Sequence, residues 1–287
     1  MKWDDLKIFL ALARRKKLAI AAHELKMDIT TISRRIKRLE DDIGQTLFER
    51  LRSGHKLTAQ GENLLNEAEK IEASFYKINH PKDSISNTPS GTIRMSVAEG
   101  FGTAIFAPLL GEFNKLYPHI EIDLVAGSGF LSLSKREADV AIGLSRTKSK
   151  HIISEFLRPY YLHLYAHKDN TPHLDNISSI RDLKDFTLID YVDDLIYSDQ
   201  LRYFESMLPN CRPNIRSTSI IAQKSLVETG AGIAILPDFL VGPDFIKILP
   251  NKISLKRQFW FSYHQSVASL AKIKALRNFT FNHLGQY

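Results

Sequence analysis

Cysteine is nearly absent from this sequence: Cys211 is the single one in 287 residues. One thiol can form no disulfide within the chain, and it can build neither a two-cysteine redox switch nor a cysteine-rich metal site. Long apolar runs are missing as well. The longest, GAGIAILPDFLVG, is interrupted by Pro237 and Asp238 and is shorter than the roughly 20 residues that a membrane-spanning helix needs. We therefore expect no membrane span.

A secretory signal is also missing from the N-terminus. The short apolar stretch that begins at Ile8 follows Asp4 and Asp5 and precedes the basic residues 14–17, which is the reverse of the order in a signal peptide. We expect the protein to remain in the cytoplasm.

Positive charge is present, and it is unevenly distributed. The composition, 44% hydrophobic and 25% charged residues, is typical of a soluble globular protein. The net charge is +7, of which residues 1–60 contribute +6, with 14 Lys and Arg against 8 Asp and Glu. This asymmetry favours a polyanion-binding module joined to a near-neutral body, although a basic surface that serves solubility would have the same composition.

Residues 1–60 have the pattern of three short helices and a hairpin. Apolar positions repeat with helical spacing over residues 6–13 and again over 18–25. The third helix is DITTISRRIKRLEDDIG, with Asp28 as its N-cap and Gly44 as its C-terminal stop. LFERLRSGHKLT then alternates around a Ser-Gly turn, as the two strands of a wing would. The pattern predicts a winged helix-turn-helix domain.

The third predicted helix has one apolar face and one basic face. At 100° per residue, its apolar side chains fall in one narrow stripe expected to face the core: Ile29, Ile32, Ile36, Leu39 and Ile43. The opposite face is centred on Arg34. Because the start of the second helix of a helix-turn-helix enters the major groove, four side chains are expected nearest to base edges: Thr30, Thr31, Ser33 and Arg34. Arginine can bind guanine bidentately, and threonine methyl groups can meet thymine methyl groups.

Other basic residues suit phosphate contacts, which position a protein on DNA without reading its sequence. The predicted phosphate contacts are Lys16, Lys17, Arg35, Lys37, Arg38, Arg50, Arg52 and Lys56. For Arg35 and Arg38 taken singly, an ion pair with Asp41 or Asp42 on a solvated face is an equal alternative.

A seam of apolar or small residues follows the wing, with four-three spacing from Leu57 to Ile78. Such a seam usually buries itself against another helix, and the alternative is packing against the protein's own body. The residues expected at a dimer interface are Leu64, Ala68, Ile71 and Phe75. Pro81 ends the helix, so residues 61–90 are interpreted as a dimerising linker helix and hinge.

From residue 91 to residue 287, strand and helix patterns alternate. TIRMSV, IEIDLV and DVAIGL read as strands, with helices over 104–117 and around Leu131 to Glu137 between them. This alternation predicts a doubly wound α/β sheet, whose ligands bind beyond the carboxyl ends of the strands. We expect the chain to cross near residue 165 and to return near Leu236-Pro237. Lobe I would then span about 91–165 and 238–287, and lobe II about 166–237.

These segments resemble the LysR-type transcriptional regulators over essentially the whole chain. WDDLKIFLALA, AAHELKM, ISRRIKRLEDDIGQTLFER and LTAQG are similar to the family's DNA-binding signature; FGTAIFAPLLGEFNKLYPHIEIDLVAG, READVAIG and GAGIAILP are similar to its effector-binding domain. The resemblance implies a winged helix-turn-helix, a dimerising linker helix and a two-lobed domain of periplasmic-binding-protein type. The implied partners are double-stranded operator DNA, a small-molecule effector, RNA polymerase and further copies of the chain, in a homodimer or homotetramer.

The effector is expected to contact the ends of strands in both lobes, where helix starts suit polar or anionic groups. The predicted contacts are Glu99, Gly100, Phe101, Thr103, Ser128, Gly129, Tyr191 and Thr218. For Ser128 and Gly129, a role as simple turn residues is an equal alternative. Two positions depart from many relatives: Ile29-Thr30 replaces Gln-Pro, and Glu99 lies where relatives that bind organic anions often have Ser or Thr. Glu99 argues against a carboxylate effector, unless the Glu99 side chain points away from the cleft or pairs with a basic residue.

An enzyme is the main rival class, and the motifs do not favour it. His163 and His167 lie on one face of a predicted strand, with no evident third metal ligand, and neither GxxxxGK[ST] nor GxSxG occurs. A free solute-binding protein would lack the basic N-terminal module, and a nucleoid-type DNA binder would have no effector. We expect no enzyme activity, no cofactor, no metal and no membrane partner.

Overall fold

The computed structural model forms two compact units, Met1–Asn87 and Thr88–Tyr287, here called the N-terminal and C-terminal units. It describes residues 2–52, 54–79, 89–127, 132–134, 137–147 and 149–285. In these ranges no helix combines the length and apolar character needed to cross a membrane.

The N-terminal unit is a winged helix-turn-helix, as predicted. Its elements are α1 (Trp3–Arg15), α2 (Leu18–Leu25), α3 (Ile29–Ile43), β1 (Phe48–Leu51), β2 (Gly54–Leu57) and α4 (Ala59–Asn79). The wing is the antiparallel pair β1–β2. Helix α1 lies against α2, α3 and α4, so its apolar face supplies the centre of this core.

The core of the N-terminal unit explains which part of α3 is held and which part projects. Phe9 of α1 and Ile32 of α3 are fully buried, and Leu39 is 1% exposed. Ile29 was predicted to face the same core, but it is 46% exposed. The stripe has the predicted orientation, yet the core that covers it begins at Ile32, because the first turn of α3 extends beyond the residues that pack against it.

The start of α4 packs on its own unit rather than away from it. A Cβ atom on Gly61 would lie 2.2 Å from the Leu47 carbonyl oxygen, so only glycine permits this approach. Ala68 is 0% exposed, which corrects its prediction as a dimer contact, whereas Leu64 packs against the same core but is only partly buried, so its dimer contact remains a prediction. Ile71 is 44% exposed, and the side chain of Phe75 lies outside the described residues.

The C-terminal unit is an α/β domain, as predicted. Its helix α5 covers residues 99–116 and contains one π-helical segment, Gly102–Phe106. The strands are β3 (Gly91–Ala98), β4 (Ile120–Gly127), β5 (Val140–Gly143), β6 (Ile152–His167), β7 (Leu188–Asp190), β8 (Ile215–Arg216), β9 (Ile233–Pro237), β10 (Phe245–Ile248) and β11 (Ser254–His264). The remaining α-helices are α6 (Phe204–Met207), α7 (Ile220–Glu228) and α8 (Ala271–Leu284). Of the helix predicted around Leu131 to Glu137, residues 132–134 and 137 are described, and they are not helical.

The nine strands form one sheet in the order β4-β3-β5-β11-β6-β9-β7-β8, with β10 also paired to β6. Strand β3 is parallel to β4 and β5, and β7 is parallel to β8 and β9. These parallel groups define lobe I and lobe II, and the antiparallel pair β6–β11 joins them. The predicted return near Leu236-Pro237 is therefore wrong: β9 pairs with β7 inside lobe II, and the chain returns through β11.

Candidate DNA interface and effector cleft

The start of α3 presents polar side chains outward. Asp28 caps the helix, because its carboxylate accepts a hydrogen bond from the Thr30 amide at 2.7 Å. Thr30 and Arg34 are exposed, and Thr31 and Ser33 are half-buried. Ile29 joins this surface, although periodicity alone had assigned it to the core. The predicted base-reading residues therefore lie together at one end of α3, with one additional apolar side chain.

Two arginines of α3 form ion pairs with an aspartate of α1. The Asp5 side chain is 1% exposed, and its carboxylate accepts hydrogen bonds from Arg35 Nε at 2.8 Å and from an Arg38 terminal nitrogen at 3.0 Å. Burial opposes ionisation of Asp5, but the hydrogen bonds from both arginines lower its pKa below the ordinary value. Asp5 thus bridges α1 and α3 and does not cap α1, whose N-cap is Lys2.

This bridge bears on the phosphate contacts predicted for the two arginines. Their partner is Asp5, not Asp41 or Asp42, which were the alternatives considered from the sequence. The Arg35 side chain is 25% exposed, whereas that of Arg38 is 50% exposed. Arg38 therefore retains much more surface for a phosphate than Arg35 does.

The turn before α2 and the wing form one basic surface. The Lys16 carbonyl oxygen accepts a hydrogen bond from the His55 amide at 2.7 Å. Gly54 has φ +134°, and a Cβ atom there would lie 2.3 Å from the same oxygen, so the wing tip approaches the turn closely. The basic side chains on these two segments are all exposed: Lys16, Lys17, Arg50, Arg52 and Lys56.

A cavity of about 30 Å³ lies in the C-terminal unit between the two lobes. The predicted residues Glu99, Gly100 and Phe101 line it from lobe I, and Tyr191 and Thr218 line it from lobe II. A space of this size holds about one water molecule. The structure therefore brings these predicted effector residues together around one narrow cleft.

Other predicted effector residues do not join this lining. Thr103 is exposed on the π-helical segment and does not line the cavity. Ser128 and Gly129 lie outside the described residues.

The Glu99 carboxylate reaches from lobe I to the start of α7 in lobe II. Ser219 Oγ donates a hydrogen bond to Glu99 Oε1 at 2.8 Å, and the Ile220 amide donates one to Oε2 at 3.0 Å. Ser219 is also the N-cap of α7, since its hydroxyl accepts from the Ala222 amide. Glu99 therefore neither points away nor pairs with a basic side chain; it is bound by a helix N-terminus.

Aromatic side chains from distant parts of the chain form the cleft walls. Phe259 stacks on Tyr160 with ring centroids 4.3 Å apart, and the Phe101 ring lies 4.4 Å from Phe259. Burial raises the pKa of Tyr197 to about 12, and the Glu99 charge contributes to the shift. Burial likewise raises the pKa of Tyr191 well above its ordinary value. These hydroxyls stay protonated at neutral pH and can donate hydrogen bonds.

Sequence reasoning missed several cleft residues, for different reasons. Ser219 follows a Ser/Thr-rich stretch and precedes a helical pattern, which is a recognisable N-cap signal. Tyr160, Tyr197 and Tyr203 come from separate elements, and no local motif indicates that they meet.

The histidines considered for an enzyme site have structural partners. His163 Nδ1 lies 2.6 Å from Asp238 Oδ1, and the Tyr165 hydroxyl and Lys247 Nζ donate to the same carboxylate. His167 Nδ1 accepts from the backbone amide of Asn170. Over the part of the chain that the structure describes, no cluster of three or more His, Cys, Asp or Glu residues is arranged to hold a metal ion.

A basic winged helix-turn-helix and a two-lobed α/β domain in one chain are typical of a bacterial transcriptional regulator. Residues 3–62 match the family model for the bacterial regulatory helix-turn-helix protein, lysR family. Residues 86–285 match the LysR substrate binding domain. The chain belongs to the LysR family of transcriptional regulators, which are not enzymes.

Curated relatives are similar along most of the chain. The transcriptional regulator CrgA of Neisseria meningitidis serogroup C is 25% identical over 293 residues, covering 98% of this chain and 97% of that protein. The Mau operon transcriptional activator of Paracoccus denitrificans is 24% identical, covering 91% and 88%. The activator IlvY of Salmonella typhimurium is 28% identical, covering 84% of each.

Solved structures share the fold. The CrgA structure from Neisseria meningitidis has a TM-score of 0.60 at 21% identity and covers 100% of both chains. The full-length OxyR C199D structure from Pseudomonas aeruginosa has a TM-score of 0.66 at 18% identity, covering 98% of this chain and 93% of that one. These likenesses confirm the predicted fold class.

Proposed function

We propose that this LysR-family regulator binds operator DNA as a homodimer or homotetramer and changes its DNA binding when a small molecule occupies the cleft between the lobes. The observation that carries the DNA-binding part is the start of α3. Its inward face is buried in the core and tied to Asp5, while Thr30 and Arg34 are exposed.

The proposed DNA complex places the start of α3 in the major groove. Thr30, Thr31, Ser33 and Arg34 meet base edges there. Lys37, Arg38 and the surface formed by the α1–α2 turn and the wing contact phosphates, and Arg35 contributes less because Asp5 holds it. Affinity for DNA then falls steeply with added salt, since bound cations are released from each neutralised phosphate.

The proposed assembly uses the part of α4 that its own unit leaves uncovered. Ile71 is 44% exposed on the same seam as the buried Ala68, and a second copy would cover it. Names of similar proteins include transcriptional activators, which supports RNA polymerase as a further partner. The proposed location is the cytoplasm, where chromosomal DNA and the polymerase are found.

The proposed effector site is the cleft between the lobes. Glu99, Tyr191 and Thr218 line the cavity from both sides, so a bound molecule would interact with both lobes at once. A ligand changes DNA binding only if it stabilises one lobe arrangement more than another.

A genomic selection tests the DNA-binding proposal. The purified chain is expected to enrich sites with two-fold symmetry whose half-sites lie about 10 bp apart or a multiple of that spacing. Recovery of DNA without a common sequence would contradict operator recognition.

A seam variant tests the assembly proposal. Ile71→Asp places a charge on the exposed seam and is expected to shift the mass measured by light scattering toward the monomer. Leu195→Asp is the matched control, because Leu195 is also exposed, at 59%, but lies in lobe II. An unchanged mass for Ile71→Asp would contradict a dimer through α4.

A further inference from the structure

The position where an anion would bind most readily in the cleft is already filled by the protein. The start of a nine-residue helix, α7, offers backbone N–H groups and a positive dipole end to a negative group. Glu99 takes the Ile220 amide and the Ser219 hydroxyl at 3.0 and 2.8 Å, and both contacts are part-buried. The ligand-like occupant of this helix start is thus a carboxylate tethered to lobe I.

The backbone beside Glu99 fixes this arrangement. A Cβ atom on Gly100 would lie 3.1 Å from both Ile220 Cγ2 and Leu240 Cδ1. Lobe I therefore approaches the first residue of α7 closely at the position next to Glu99. This fit leaves no room for a second carboxylate at the same donors while Glu99 is bound there.

The remaining cleft surface has a different chemical character. Four aromatic side chains are part of the cavity lining: Phe101, Tyr160, Tyr197 and Phe239. Tyrosine hydroxyls can exchange hydrogen bonds with an uncharged ligand, and ring faces attract cations but not anions. A ligand carboxylate would meet the Glu99 charge at close range, and like charges repel more strongly in a partly buried site than in water.

We propose that Glu99 determines the specificity of the cleft: its tethered carboxylate occupies the anion position at the start of α7, so the effector is an uncharged or cationic aromatic compound rather than an organic anion. This inference rests on the proposed effector site. It assigns the helix-start donors to Glu99 and the aromatic walls to the ligand.

Acetate, a free copy of the side-chain carboxylate, tests the assignment. Glu99→Ala vacates the helix-start donors, and acetate is expected to raise the melting temperature of this variant by about 3 °C, saturably and at constant ionic strength. The wild type and Glu99→Gln, in which the position stays filled, are expected to show no saturable shift. Glu205→Ala is the matched control, because it removes an exposed carboxylate in lobe II outside the cavity lining.

The same experiment defines the contradicting outcomes. Equal stabilisation of the wild type and Glu99→Ala by acetate, or no stabilisation of a folded Glu99→Ala, would overturn the assignment. If Glu99→Ala does not fold, Glu99→Gln decides it by calorimetry: benzoate should bind Glu99→Gln at least about tenfold more tightly than the wild type, because charge repulsion is removed. Equal benzoate affinities would then overturn the proposal.

A charge series on one ring tests the ligand class. Calorimetry with benzylamine, benzyl alcohol and benzoate is expected to give the wild type its weakest affinity for benzoate, by about tenfold or more. Benzoate binding most tightly to the wild type, or failure of both other compounds to bind it, overturns the ligand class. Operator binding measured alongside separates the two hypotheses: loss of DNA recognition in the wild type counts against the proposed function and leaves the acetate result intact.

Discussion

The starts of α3 and α7 are built alike but end in opposite situations. Each has a short polar N-cap, Asp28 in one and Ser219 in the other, that accepts a backbone N–H of its own helix. The start of α3 is completed locally and leaves Thr30 and Arg34 on the surface. The start of α7 receives Glu99 from 120 residues earlier and is closed by it. A helix start that is capped only by its own N-cap residue remains accessible to another molecule. A side chain from a distant part of the chain occupies the helix start instead and connects two parts of the protein.

The largest expected effect comes from removing the Asp5 carboxylate, which bonds α3 to α1. Asp5→Ala deprives Arg35 and Arg38 of a buried carboxylate, and the free energy of unfolding of the N-terminal unit is expected to fall by about 3 kcal/mol. Chemical denaturation measures the change. Asp4→Ala, on the exposed side of α1, is the control and should change stability little. Equal losses for the two variants would show that the bridge does not stabilise α3.

The open helix start is tested by its exposed arginine. Arg34→Ala is expected to weaken binding to the selected operator by about 1 to 3 kcal/mol and to relax one base position. Lys37→Ala, which removes an exposed charge one turn further along α3, should weaken binding to all sequences and reduce the salt dependence by about one phosphate contact. An Arg34→Ala selection that returns the wild-type sequence and affinity would remove Arg34 from base recognition.

Lobe II, which contains α7, also holds a buried carboxylic acid whose titration affects the stability of the protein. Burial raises the pKa of Asp190 to about 6, with the Asp193 charge adding to it and the Tyr191 amide opposing it. Because the folded-state pKa exceeds the unfolded value, the contribution of Asp190 to stability is present below about pH 4 and is lost as the pH rises through 6. Asp190→Asn removes this loss and is expected to stabilise the protein by about 2 kcal/mol at pH 7.5, but not at pH 4.

Unfolding experiments across this pH range check the sign. Asp194→Asn, an exposed neighbour, is the control and should follow the wild-type curve. A stabilisation by Asp190→Asn that is the same at both pH values would assign its effect to something other than proton binding.

The smallest expected effect compares the two caps directly. Ser219→Ala is expected to cost about 1 kcal/mol as a lost N-cap, and it also removes one Glu99 contact. Hydrogen exchange should therefore increase at α7 and at the Glu99 end of β3. Asp28→Ala should lower stability less and increase exchange in α3 alone. Confinement of the Ser219→Ala effect to α7 would show that Glu99 does not couple the lobes.

Sequence patterns predicted the elements of the N-terminal unit well, because local capping and turn residues mark where these elements begin and end. Asp28 and Gly44 bound α3 as expected. Ile29 shows the limit of this reasoning: periodicity fixes the face of a helix on which a side chain lies, but not how far the partner surface extends. Ala68 shows that periodicity also does not identify the partner surface: the seam predicted to face a second chain is covered at Ala68 by the core of its own unit.

Long-range contacts explain the other differences. Asp5 and Arg35 are 30 residues apart, and Glu99 and Ile220 are 121 apart, so no local motif indicates either pair. The second crossing between lobes was misplaced because the order of strands in a sheet is not encoded in the alternation of strand and helix patterns. Thr103 was assigned to the cleft from its neighbours, whereas it is exposed and does not line the cavity.

The ribbon formed by β6 and β11 has a mechanical consequence. Its ladder runs from Ile152 paired with His264 to His163 paired with Ser254, interrupted by a register shift between Phe259 and Trp260. Continuous hydrogen bonds resist sliding of one strand past the other, but a bulge concentrates twist at one point. Phe259 is at this point and also in the cavity lining. A molecule that displaces the Phe259 ring would therefore act on the ribbon at its register shift, in the strand pair that joins the two lobes.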